Sequence, residues 1–244
     1  MKKKLRGVIL AGGTGSRLIP LTRVTNKHLL PVGRKPMIYY PIEKLTGAGI
    51  TDILIVTGIE HMGAVVSLLG SGKDFLCKFT YKVQDESGGI AQALGLAEEF
   101  ASGDPVVVIL GDNIFEDSLI PYVKQYLDNG AKGAQILIKE VDDPTRFGVP
   151  EIKDDKIISI EEKPLKPKSN FAVTGIYFYN SDVYSCIKNL KPSQRNEFEI
   201  TDVNNFYISK NALSWGLLKG WWSDAGTFES LSKVQKLVEV APPK

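Results

Sequence analysis

The stretch Leu5-Arg6-Gly7-Val8-Ile9-Leu10-Ala11-Gly12-Gly13-Thr14-Gly15-Ser16-Arg17-Leu18 governs how the rest of the chain is read. Its first half is a short apolar run, the pattern of a strand covered on both faces, and it stops at two glycines. A glycine-rich turn directly after a buried strand lies where α/β sheets take their ligands. Glycines let the backbone come close to a phosphate and turn its N–H groups toward it. Two familiar loops of this kind do not fit. A dinucleotide-binding loop needs a glycine where Leu18 stands, and a P-loop needs Gly-Lys-Ser/Thr where this chain has Gly15-Ser16-Arg17. What the loop does offer is a fork-shaped cation, Arg17, and a compact one soon after, Lys27. That pair suits a polyphosphate.

Outward from the loop, the pattern predicts strands over 5–11, 52–58, 78–84 and 105–111 alternating with helices over 36–49, 60–69 and 89–100. Such alternation means βαβ units and a parallel sheet. The second half predicts strands over 134–141, 147–152, 156–162 and 171–180, with turns at Asp142-Asp143-Pro144 and Lys153-Asp154-Asp155. Helices follow over 181–190, 201–210 and 227–240. The expected fold class is α/β: a Rossmann-like mixed, mainly parallel central sheet with helices on both faces and an inserted β region. No linker, repeat or low-complexity segment interrupts the 244 residues, so one continuous domain over 1–244 is expected.

A second signal is Gly111-Asp112-Asn113, directly after the apolar run 106–110. An acidic residue at the carboxyl end of a central strand faces the ligand crevice. With a remote carboxylate it could hold Mg²⁺, which takes one or two carboxylates and completes its shell with phosphates and water. Asp224, within Trp221-Trp222-Ser223-Asp224-Ala225-Gly226, is the candidate partner. His28 and His61 lack metal-ligand spacing, and no Gly-x-Ser-x-Gly elbow appears, which argues against zinc and a serine hydrolase. Trp215, Trp221, Trp222, Phe198 and Phe206 are read as core or interface.

Composition is ordinary for a globular chain, with 43% apolar and 24% charged residues, which excludes disorder. A formal charge of +2 is too small for a nucleic-acid footprint, and no apolar run approaches the roughly 20 residues that span a bilayer. Met1-Lys2-Lys3-Lys4 resembles the basic start of a signal peptide, but the apolar stretch behind it is too short for one. Cys77 and Cys186, the only cysteines, are expected to be reduced and structural, as in a cytoplasmic protein.

The ordered motifs together resemble the sugar-1-phosphate nucleotidyltransferases, in particular the branch that uses dTTP and glucose 1-phosphate. They begin with Leu10 to Leu18, Pro20-Leu21-Thr22 and Asn26-Lys27-His28-Leu29-Leu30-Pro31-Val32, then Lys35 to Pro41. Further along come Gln84-Asp85, Gly88-Gly89-Ile90-Ala91-Gln92-Ala93, Leu110 to Asn113 and Arg146-Phe147-Gly148-Val149. Glu161-Glu162-Lys163-Pro164, Ala172 to Tyr177 and Glu199 to Asn204 complete the series. The resemblance implies a nucleotide-binding half over about 1–133, a sugar-binding half over about 134–226 and a C-terminal helix.

It implies that Gly12, Gly13, Thr14 and Gly15 wrap the nucleotide phosphates, with Arg17 and Lys27 on the β and γ phosphates. Gln84 and Gly89 would meet the pyrimidine edge, and Asp112 and Asp224 would hold Mg²⁺. Asn113, Gly148, Glu162, Val173, Tyr177 and Trp222 would form the sugar pocket, with Lys163 on the sugar phosphate. The implied products are dTDP-glucose, opening dTDP-rhamnose synthesis, and pyrophosphate, and the implied assembly is a homotetramer with no nucleic-acid or membrane partner. UTP or CTP in place of dTTP stays open, as does a sugar-nucleotide sensor without turnover. Two departures stand out: Arg195-Asn196-Glu197-Phe198 replaces the family's usual Arg-Gly-Glu-Leu, and the chain resembles the short form that lacks a further C-terminal helical region.

Overall fold

The structure is a computed structural model that describes residues 4–244; the basic start at Met1 to Lys3 lies outside the described residues. The chain runs through β1 (Arg6–Ala11), β2 (Pro31–Val32), β3 (Lys35–Pro36), α1 (Tyr39–Gly47), β4 (Asp52–Gly58), α2 (Met62–Leu69) and β5 (Lys78–Gln84). Next come α3 (Ile90–Gly95), α4 (Glu98–Ala101), β6 (Val106–Leu110), β7 (Asn113–Phe115), α5 (Ile120–Asp128) and β8 (Ala134–Glu140). The remainder is β9 (Gly148–Lys153), β10 (Lys156–Glu162), β11 (Phe171–Tyr179), α6 (Asp182–Lys188), α7 (Ile200–Ser209), β12 (Leu213–Leu217), β13 (Trp222–Asp224) and α8 (Phe228–Val240).

Seven strands share one sheet in the order β12-β8-β11-β6-β1-β4-β5. Its neighbours pair in parallel except around β11, which runs antiparallel to both β6 and β8. The mainly parallel, mixed sheet is therefore as expected; β8, β11 and β12 of the second half extend it, while β9 pairs with β10 and β13 with β7 in separate two-stranded ladders. Successive side chains of a strand point to opposite faces, and the centre of this sheet is apolar on both. Ile9, Val107 and Ile109 meet Ile42 and Leu45 of α1 and Tyr126 of α5 on one face. Val8, Val106 and Val108 meet Ala91 and Leu94 of α3 and Tyr207 of α7 on the other. Each such side chain contributes about 1.5–3 kcal/mol by leaving water, which is why so short a run as β6 holds the centre.

Several boundaries differ from the sequence expectation for identifiable reasons. The helix expected over 36–49 begins only at Tyr39, because Pro36 pairs with Pro31 in the β2–β3 hairpin. The next two donors are also committed elsewhere, Met37 N to Leu30 O at 2.9 Å and Ile38 N to His28 O at 2.9 Å. The helix expected over 89–100 is two, α3 and α4, and that over 60–69 opens as a 3₁₀ turn at Ile59–His61. The turn at Lys153-Asp154-Asp155 holds, with both aspartates in the left-handed region that closes a two-residue hairpin between β9 and β10. Helix α8 starts where its capping signal lies, with Thr227 and Ser230 exchanging reciprocal bonds. Strands β7, β12 and β13 and helix α5 were not foreseen.

Cys77 and Cys186 are buried free thiols. Among the described residues, no helix is long and apolar enough to cross a membrane.

Gly133 shows how tightly the sheet's extension is built. It turns from α5 into β8 with φ +64°, and a Cβ there would sit 2.1 Å from Ala212 O, the acceptor for Ala134 N. Gly133→Ala combines left-handed strain with a backbone clash, so we expect it to lower stability by at least about 2 kcal/mol. Urea unfolding checks this: the midpoint falls while the slope stays constant. An unchanged midpoint would show that the Ala212 turn yields freely.

Candidate functional site

A cleft of about 420 Å³ opens at the carboxyl ends of β1, β5 and β6, with its far wall made by β10, β11 and the start of α7. At one end, Gly12, Gly13 and Thr14 follow β1 along the cleft. Gly12 packs closely on β5, and a Cβ there would lie 2.5 Å from Gln84 Oε1 and displace that carboxamide. Gly15 sits differently from its neighbours. It does not line the cleft but makes the turn behind the loop, with φ +65° and its carbonyl accepting from Thr22 Oγ1 at 2.8 Å.

Lys27 reaches in beside this loop and meets Asp112, with Nζ 2.5 Å from Oδ2 and each side chain only about a tenth exposed, at 12% and 11%. Its turn is fastened from both sides. Asn26 donates to Ala11 O at 3.2 Å and accepts from His28 N at 2.8 Å. His28 lies beneath Gly111, where a Cβ would meet its ring at 2.6 Å. Burial, with the Lys27 charge second, drops the imidazole to about 3, so His28 is neutral at physiological pH. Burial also works against the Asp112 charge, but Lys27 together with hydrogen bonds from Lys27 and Asn113 outweighs it. The carboxyl stays well below its usual range.

Asp224 is brought beside Asp112 by a ladder that residue order does not foreshadow. Strand β13 pairs antiparallel with β7, setting Asp224 opposite Asn113, and Ala225 N donates to Asp112 O at 2.8 Å. A Cβ on Gly226 would lie 3.0 Å from Arg17 Nη2 and 3.6 Å from Asp112 Oδ2, so arginine and carboxylate converge over this glycine. Burial and the Asp112 charge push the Asp224 carboxyl up, against a weaker pull from Arg146, whose Nη2 is 3.6 Å from Oδ2. Two hard-oxygen carboxylates repelling each other at the mouth of the glycine loop fit a divalent cation. Among the described residues no group of three or more His, Cys, Asp or Glu is placed to hold a metal ion.

The other end is built around β10 and β11. Val173 and Tyr177 flank the register shift in β11, and Gly175 between them packs its backbone on Asn113. Asn113 Oδ1 accepts from Gly175 N at 2.8 Å and from Trp222 Nε1 at 2.7 Å, while Nδ2 donates to Asp112 Oδ1 at 3.0 Å. One Nδ2 hydrogen is left to meet a ligand, so this side chain mainly positions its neighbours. Trp222 also packs edge-on against Phe147, with centroids 5.2 Å apart. Glu162 accepts from Thr201 Oγ1 at 2.6 Å, and Gly148 lies under both. Lys163 is half-exposed and held in the left-handed region at φ +48°, a strained conformation of the kind that clusters at functional sites.

Apart from Gly15, all the expected site residues therefore line one cleft. Arg146, Arg195 and Thr201 line it too and were not singled out from the sequence. Arg146 and Thr201 sat inside quoted motifs. Arg195 is ringed by Glu162, Glu197 and Glu199 at 3.4, 3.8 and 2.8 Å, a grouping that no spacing reveals. The Arg195-Asn196 departure has a simple account: Asn196 adopts φ +58°, where asparagine is among the few residues that replace glycine cheaply.

The nucleotidyl transferase family model matches residues 6–240. The chain belongs to this family. Glucose-1-phosphate thymidylyltransferase of Neisseria meningitidis is 44% identical over 238 residues, covering 96% of this chain and 83% of that protein. A Bacillus anthracis protein assigned as a candidate glucose-1-phosphate thymidylyltransferase, solved with sucrose, superposes with a TM-score of 0.93 at 59% identity and covers 97% and 96% of the two chains. A UDP-glucose pyrophosphorylase complexed with UDP-glucose superposes at 0.86 with 25% identity, covering 97% and 98%.

The raised Asp224 carboxyl has a sign that can be checked. Its charge is less favourable in the folded than in the unfolded chain, so it costs stability above the raised pKa and stops doing so as pH falls through it. In metal-free buffer at pH 7, Asp224→Asn therefore melts higher than the parent, and the gap closes on acidification through the carboxylate range. A variant melting lower at pH 7 would mean that the lost attraction to Arg146 exceeds the relieved repulsion from Asp112.

Proposed function

We propose that this chain transfers a thymidylyl group from dTTP to glucose 1-phosphate, giving dTDP-glucose and pyrophosphate. The observation that carries the reading is a single cleft with a glycine loop and two cations at one end, Lys163 and Glu162 at the other, and two carboxylates between them. The 44% identity to a glucose-1-phosphate thymidylyltransferase supports both substrates.

The chemistry follows from charge. An oxygen of the sugar phosphate attacks the α-phosphorus in line and expels pyrophosphate. A phosphate monoester has its second pKa near 6, so the nucleophile is already largely ionised at neutral pH and needs no base. His28 fits this: it is neutral and buried, with Nδ1 2.6 Å from Asn26 Oδ1. The obstacle is repulsion between two polyanions. Arg17 and Lys27 hold the departing β and γ phosphates, and Lys163 brings in the sugar phosphate, so catalysis is positioning and electrostatics. Asp112 and Asp224 would hold Mg²⁺, which when bound offsets phosphate charge. Glu162, kept in place by Thr201 and Arg195, accepts from sugar hydroxyls. A homotetramer supplying dTDP-rhamnose synthesis in the cytoplasm rests on family likeness alone.

The UTP-dependent alternative draws on the similarity to a UDP-glucose pyrophosphorylase. Pyrophosphate release with glucose 1-phosphate, run beside dTTP, UTP and CTP, separates the readings. Fast release with dTTP, stopped by EDTA, is the expected result. Release with UTP alone would keep the mechanism and overturn the base. Lys163→Ala should raise KM for glucose 1-phosphate at least about tenfold, the worth of a charge-assisted contact, with dTTP affinity nearly unchanged. Loss confined to dTTP would reassign Lys163.

A further inference from the structure

We propose that Gln92, a residue outside the cleft lining, sets the choice of nucleobase by fixing which way the Gln84 carboxamide points. The inference rests on the reading of this cleft as a nucleotide site and deepens it. The orientation follows from backbone groups whose roles cannot change. Gly88 N–H can only donate, and it lies 2.9 Å from one atom of the Gln92 amide, so that atom is the oxygen Oε1. The same oxygen is 2.8 Å from Gln84, so the Gln84 atom facing it must be the amide nitrogen Nε2. Gly89 O, which can only accept, is 3.4 Å from that nitrogen and agrees. Gly88 makes the arrangement possible, since a Cβ there would lie 2.4 Å from the Gln92 amide carbon.

With Nε2 committed, Gln84 Oε1 turns toward Gly12 and the phosphate loop. Among the described residues no donor reaches it. Gly89, one residue before α3 and lining the same cleft, has φ +96° and an N–H with no acceptor among the described residues. The cleft thus presents a fixed acceptor beside a fixed donor. Thymine and uracil offer the complement, an imide N3–H next to a carbonyl oxygen. Cytosine presents the reverse, an N3 lone pair next to an amino group, and meets both protein groups with like polarity. A Gln84 free to rotate would remove the mismatch at N3 and leave only the one at Gly89, so cytosine would be rejected less. Gln92 is therefore a positioning residue whose oxygen makes the site imide-selective.

The test compares the parent with Gln92→Leu, Gln92→Glu and Gly88→Ala, reading kcat/KM for dTTP, UTP and CTP by pyrophosphate release and the affinity for dTDP and CDP by calorimetry. The parent should favour dTTP and UTP over CTP. Gln92→Leu should lower the dTTP-to-CTP ratio at least about tenfold, partly by improving CTP, because an unpaired polar contact no longer penalises cytosine. Gly88→Ala should move the ratio the same way. Gln92→Glu, which keeps an acceptor oxygen, should restore most of the preference. Equal losses for dTTP and CTP in Gln92→Leu, leaving the ratio unmoved, would overturn the proposal and give Gln92 a merely structural role. A parent that releases pyrophosphate with none of the three would sink the catalytic reading. The diphosphate affinities would then decide the base proposal by themselves, absence of any dTDP-over-CDP preference overturning it.

Discussion

The contact between Lys27 Nζ and Asp112 Oδ2 joins the loop after β1 to the end of β6, in a place where both side chains are nearly closed off from water. A buried carboxylate left without a partner there would cost about 3–5 kcal/mol, so the chain around it is arranged to keep the ammonium in reach. Asn26 fastens the Lys27 turn to the end of β1, and His28 fills the space under Gly111. The late start of α1 accompanies the same turn, since Met37 and Ile38 are held back against it by bonds to the carbonyls of Leu30 and His28. A glycine, a neutral histidine and a displaced helix end are consequences of one ion pair.

Strand β11 carries the second structural theme. It is the strand that runs against its neighbours, and its register shift sits where Gly175 passes over Asn113. Asn113 then holds Asp112, β11 and Trp222 at once, so the two ends of the cleft share a single carboxamide. The two ends are mechanically one object, although β6 and β11 belong to different halves of the sequence.

Much of this was legible from residue order. Runs such as 52–58 and 78–84 gave strands to the residue, because long apolar or alternating segments carry their own period. Strands β7, β12 and β13 were not legible, since three to five residues show no period and form only when a distant partner arrives. The same limit explains the site. Gly12, Arg17, Lys27 and Asp112 sit beside strong strand signals and were read from them. That Asp224 meets Asp112 depends on the unforeseen β7–β13 ladder, and the Arg195 carboxylate ring joins a loop to β10. Gly15 lies behind the loop where Gly12 and Gly13 line the cleft, and residue order cannot separate a glycine that shapes a turn from one that faces the cleft.

The two thiols lie on opposite sides of the sheet. Cys77 belongs to the apolar layer with α1, α2 and α5, and Cys186 to the layer with α3, α6 and α7. Burial pushes both thiols up, so neither forms the reactive thiolate readily while its layer is closed. The molecule thereby carries a pair of internal clocks. The rate at which each sulfur becomes alkylated under native conditions times the opening of one layer alone, and a difference between the two rates would measure how far the faces of a single sheet can come apart independently.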